Sequence, residues 1–133
     1  MKGELMRGHL RHSIALIAAA FALTACGPFR HGASQPDAIV VFHNQSPDQA
    51  DVFALGSGGD PIRIGTVFAG KTESLRVPET VTGGSNRVNV IARVFPTGRI
   101  VSSGPFSVEP GGSMDVTLTS DEKMMSVLPS RGA

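Results

Sequence analysis

Residues 38–119 form a succession of short apolar or alternating runs, each closed by Gly, Pro, Asn, Asp or Ser. Residues 38–43 (AIVVFH) are apolar at successive positions, as in a strand covered on both faces. Asn44-Gln45-Ser46-Pro47-Asp48 ends that run with turn chemistry. Residues 51–55 (DVFAL) form the next strand, closed by Gly56-Ser57-Gly58-Gly59-Asp60. Residues 62–68 (IRIGTVF) alternate only in part, and Gly65 marks a bulge or a close approach of another group. Residues 72–77 (TESLRV) put Leu75 and Val77 on one face, and Pro78, which has no N–H to give a ladder, stops them.

After a loop over residues 79–85, residues 87–95 (RVNVIARVF) alternate most clearly. Val88, Val90, Ala92 and Val94 point one way, and Arg87, Asn89 and Arg93 the other. Pro96-Thr97-Gly98 is a hairpin turn. Residues 99–103 and 106–108, parted by Gly104-Pro105, are one bent strand or two short ones. Residues 114–119 (MDVTLT) close the set with Met114, Val116 and Leu118 inward. No window after residue 26 repeats with the 3.6-residue period of a helix. About seven strands with a turn every eight to twelve residues predict an all-β fold, a single small antiparallel β-sandwich over residues 38–120. A small closed barrel is the rival. Residues 121–133 read as a C-terminal tail, in which Met124, Met125, Val127 and Leu128 would add a last strand or dock on a partner.

The N-terminal pattern is different. Arg7 and Arg11 lead into an apolar block of about a dozen residues, short of the roughly 20 that span a bilayer core. The block ends in Leu23-Thr24-Ala25-Cys26. A charged lead-in, a short helical apolar segment and small residues before a cut site are the layout of a secretory signal over residues 1–25. The last four residues resemble the bacterial lipobox. That resemblance implies cleavage between Ala25 and Cys26, a diacylglyceryl group on the Cys26 sulfur, and usually a third acyl chain, palmitate for example, on the new amine. It implies a bacterial cell-envelope location, lipid-anchored in the outer membrane or on the periplasmic face of the inner membrane. Gly27 rather than Asp after the cysteine favours the outer membrane, by the sorting rule of enteric lipoproteins. Residues 27–37 (GPFRHGASQPD) read as a flexible tether with a mean span of about 18 Å.

Charge and composition then narrow the function. The signal holds Lys2, Arg7, Arg11 and Glu4; twelve basic residues less three leave nine, and eleven acidic less one leave ten. A mature net charge of −1 carries no electrostatic footprint for nucleic acid. Cys26 is the single cysteine, so the domain has no disulfide staple and relies on its core. Trp and Tyr are absent, which argues against sugar platforms and aromatic cages. The rhythm of the domain also counts: an opening strand ending at Asn44, I-G-T-V-x-A-G-x-T at 64–72, and F-x-V-x-P-G at 106–111. It is similar to that of small prealbumin-like or Ig-like sandwich modules of bacterial envelope proteins.

Candidate chemistry is sparse. A hydrolytic Ser57–His43–Asp48 set would need these residues brought together, and Ser57 does not fit G-x-S-x-G. His43, Asp48, Asp51 and Asp60 would serve as a metal site only if they converged, and their spacing matches no calcium loop. Gly56-Ser57-Gly58-Gly59 and Gly83-Gly84-Ser85 open no helix and lack the following Lys of a phosphate loop. Asn44-Gln45-Ser46 has the letters of a glycosylation site. Arg63, Arg76, Arg87, Arg93 and Arg99 would bind an acidic partner if they shared a face, and otherwise guard edges and solvated surfaces. The expectation is a non-catalytic, membrane-anchored binding or structural module with no cofactor and an envelope protein as partner. The alternative is a ligand- or metal-binding or hydrolytic sandwich using the loops of residues 43–60.

Overall fold

The computed structural model describes residues 34–131; Cys26, the signal and most of the expected tether lie outside the described residues. The element order is β1 (Ala38–Asn44), β2 (Ala50–Leu55), β3 (Ile62–Val67), β4 (Thr72–Val77), α1 (Glu79–Thr82), β5 (Arg87–Val94), β6 (Ile100–Ser107), β7 (Ser113–Leu118) and β8 (Met125–Pro129). The strands form two four-stranded sheets, ordered β4-β1-β7-β8 and β3-β2-β5-β6. Over the described residues the fold is an all-β sandwich with one short helix.

The inward residues are those of the alternating pattern. Val40 and Phe42 of β1 and Val116 and Leu118 of β7 meet Val52 and Ala54 of β2 and Val88, Val90, Ala92 and Val94 of β5, all buried. Valine dominates because a β-branched side chain fits a pleated, closely spaced interior. Among the described residues Phe42 is the one buried aromatic ring.

Several expectations are corrected. There are eight strands rather than about seven, because residues 125–129 of the expected tail pair with β7. Met125 and Val127 turn inward against the core, while Pro129 is tolerated because β8 is a sheet edge. The sandwich is not wholly antiparallel: β1 and β7 run parallel. Both start at the end of the sandwich where α1 lies, because the connection from β6 crosses between the sheets there. β1 is covered on one face only; Ile39, Val41 and His43 are half-buried on the outer face. The loop expected over residues 79–85 contains the single turn of α1, whose Val81 plugs the core.

Gly65 does mark a close approach. A Cβ there would sit 2.6 Å from Leu75 Cδ2, beside a register shift between β2 and β3. Residues 100–107 are one strand, bent where Ser103 and Gly104 oppose Val90. Ser103 Oγ there accepts the Val90 N–H at 3.0 Å in place of a carbonyl.

Candidate functional site

The strand directions give the sandwich two ends. Ala38, Leu55 and Arg87 lie at the α1 end, whereas Asn44, Ala50, Val94 and Leu118 lie at the opposite end. This separates the residues of the candidate hydrolytic set. Ser57 lies at the α1 end, its Oγ 3.0 Å from Ser85 Oγ, and His43 and Asp48 lie at the other. A cleft of about 350 Å³ bounded by Gly56–Asp60, Ile62, Thr80, Val81 and Gly83 is therefore far from His43.

His43 has other partners. On the outer face of β4-β1-β7-β8 its Nδ1 is 3.0 Å from Thr72 Oγ1 and its Nε2 3.3 Å from Asp115 Oδ1. Hydroxyl, imidazole and carboxylate stand in the order of a hydrolytic triad, but they sit across three paired strands on an open sheet face. The contacts tie β4, β1 and β7 together.

The metal candidates do not converge either. Among the described residues no three His, Cys, Asp or Glu side chains are grouped to hold an ion. Asn44 is structural: its Nδ2 donates to the carbonyls of Asp48 at 2.8 Å and Val67 at 3.0 Å, and its Oδ1 accepts the Ser46 N–H. With both amide hydrogens committed inside the protein, the letters of a glycosylation site carry no reactive amide.

The arginines are distributed unequally. Arg63, Arg87 and Arg93 share the outer face of β3-β2-β5-β6, and Arg76 lies on the other sheet opposite Ile39. Arg99, in the β5–β6 turn, donates to the Asp121 carbonyl. On the arginine-bearing face, near the end opposite α1, is Asp51, a lone acid in an apolar strand and buried. Its Oδ1 accepts Arg63 Nη2 at 2.7 Å and Thr66 Oγ1 at 2.8 Å, and its Oδ2 accepts Arg93 Nη2 at 3.3 Å. Burial pushes the Asp51 carboxyl up, but the hydrogen bonds from Thr66, Arg93 and Arg63 outweigh it and hold it below the ordinary carboxylate range.

The Arg93 guanidinium is flanked by two rings, 5.6 Å from the Phe53 centroid and 5.4 Å from that of Phe95. Ile91 and the exposed Ile100 complete the surroundings through the β5–β6 register. Sequence reasoning named these arginines without finding this arrangement. The available signal was an aspartate inside an otherwise apolar run; its partners depend on the register of strands 12 and 42 residues away.

No family model matches the chain, and no curated protein matches it. Among solved structures, an NMR structure of a protein from Eubacterium rectale is similar over 77% of this chain and 95% of its own, at 13% identity and a TM-score of 0.47.

Proposed function

We propose that the chain is a membrane-anchored, non-catalytic lipoprotein of the bacterial envelope that works as a binding or structural module. The observation that carries this reading is Leu23-Thr24-Ala25-Cys26, placed eight residues ahead of a compact β domain that begins at Ser34. The spacing suits a lipid on Cys26 followed by a short tether. One acyl chain holds a protein only marginally, at about 0.8 kcal/mol per buried CH₂, whereas two or three chains make attachment lasting. A single domain of this size, with Ser57 at the opposite end from His43 and Asp48, supports contact with another envelope component rather than turnover.

The test is metabolic labelling with palmitate, combined with detergent phase separation. The natural chain takes up label and enters the detergent phase, and an inhibitor of lipoprotein signal peptidase leaves an uncleaved precursor. Cys26→Ser takes up no label. A Cys26→Ser chain that is still cleaved and still enters the detergent phase defeats the reading.

A further inference from the structure

The two outer faces of the sandwich differ in charge. Strands β2, β3, β5 and β6 carry Arg63, Arg87 and Arg93 against the single acid Asp51, and that acid is buried beneath two of the arginines. The outer face of β1, β4, β7 and β8 carries Arg76 against Asp115, since Glu73 pairs with the inward Phe42 and belongs to the other side of its strand. The first face is therefore cationic, and its cations stand among exposed or half-exposed apolar groups: Phe53, Ile91, Phe95 and Ile100.

Arg93 is the organised element of that face. Asp51 fixes one end of its guanidinium and two phenyl rings flank it, so little rotamer freedom remains to be lost on binding. Among the described residues its bond to Asp51 is its one hydrogen bond, and most of its N–H donors point elsewhere without a protein partner. Its side chain is 47% exposed. An immobilised arginine between phenyl rings, beside an isoleucine 68% exposed, combines residue types enriched in protein interfaces. The complementary group is planar and anionic, accepts two parallel N–H bonds, and has apolar neighbours to cover the rings.

We propose that the outer face of the β3-β2-β5-β6 sheet, centred on Arg93 between Phe53 and Phe95, docks a carboxylate-bearing segment of a partner protein. The carboxylate takes the open edge of Arg93, and apolar residues on either side of it cover Phe95 and Ile100. Anionic lipid is the poorer match, because surface attraction to headgroups relies on clusters of about four to eight mobile Lys or Arg. This face has three arginines, two of them held by Asp51. The proposal rests on the reading of the chain as an envelope binding module, and names its surface and the chemistry of its partner.

The experiment is photocrosslinking in living cells with the full lipidated chain, a benzophenone amino acid replacing Ser102 in one strain and Ser74 in another. Ser102 is exposed opposite Ile91 on the proposed face, and Ser74 is exposed opposite Val41 on the other sheet. The expected result is one crosslinked polypeptide from position 102 and none from 74, with Asp or Glu beside apolar residues in the crosslinked peptide. Arg93→Lys keeps the charge and loses the fork, so it lowers the yield about tenfold while circular dichroism shows an intact fold.

Crosslinks from 102 to lipid or to a second copy of the chain overturn the proposal. So does equal crosslinking at 74, silence at both positions, or indifference to Arg93→Lys. Failure of the lipoprotein reading looks different: no label on Cys26, with crosslinking from 102 retained.

Discussion

Among the described glycines, Gly56 leaves the least room for a Cβ, and it makes a sharp test of how the α1 end is assembled. A Cβ at that position would lie 1.9 Å from the Val81 carbonyl oxygen and 2.9 Å from its carbonyl carbon. Both obstacles are backbone, so no side-chain rotation relieves them. In Gly56→Ala the single turn of α1 must retreat by at least about 1.1 Å to restore a 3.0 Å separation. Val81, which is buried, moves with it and is drawn partly out of the core. Overpacking of this kind costs about 1–3 kcal/mol, and exposing a buried valine removes up to about 1.5–3 kcal/mol of transfer free energy. With relaxation shared between them, the expected loss is about 2–3 kcal/mol, or roughly 10–20 °C in melting temperature for a domain of this length. The assay is thermal and urea unfolding of residues 34–133 followed by far-ultraviolet circular dichroism, since the chain has no Trp or Tyr to report by fluorescence. Gly59→Ala is the matched control: nothing lies within 4 Å of its Cβ, and it is expected to be neutral or to stabilise by up to about 1 kcal/mol. If Gly56→Ala unfolds within about 0.5 kcal/mol of the natural chain, α1 is not packed against β2 as described.

Three further outcomes follow from the same geometry. Asp51 titrates below its ordinary 3.8, so its ionised form adds stability that is present above that pH and fades as the pH falls through the lower native value. Asp51→Asn should be about 1–2 kcal/mol less stable near neutrality, with the gap closing below about pH 4 in a series of urea melts. Asn44→Ala leaves the buried Ser46 N–H without its acceptor, removes the side-chain donor to the Val67 carbonyl and leaves the Asp48 carbonyl with the Ser46 hydroxyl, and should cost about 1–3 kcal/mol; an unchanged urea midpoint would refute that account. A chain stopped after Ser120 lacks β8 and exposes the edge of β7, so it should self-associate in sedimentation velocity where the full domain does not.

Much of the fold was legible because inward and outward positions alternate with period two. Val88, Val90, Ala92 and Val94 face the core as the alternation of residues 87–95 requires, and Leu75 with Val77 do the same in β4. What local pattern does not carry is which strands are neighbours. The parallel pairing of β1 with β7 joins segments at opposite ends of the domain. β8 is only five residues long, opens on methionine and closes on proline, so its strand signal is weak until β7 offers an edge. α1 is one turn, too short for any periodicity. The cluster around Asp51 was hidden for the same reason as the pairing: Arg63 and Arg93 reach it across two ladders, and the separation of His43 from Ser57 depends on strand direction.

The place at which the chain joins its sandwich has a mechanical consequence. The polypeptide ahead of residue 38 runs into β1, and β1 is an interior strand, laddered to β4 on one side and to β7 on the other. A pull on the N-terminal segment along the axis of β1 loads both ladders in shear. Their hydrogen bonds share the tension together instead of opening one after another, as they would at a peeling edge. The C-terminus leaves through β8, which has a neighbour on one side only, and a pull there can strip it pair by pair. The domain is thus built to resist force at its N-terminal attachment and to yield first at its other end. Single-molecule pulling on each terminus in turn, against a handle at the end of the sandwich opposite α1, would show β8, held by one ladder, detaching at a lower force than β1, held by two.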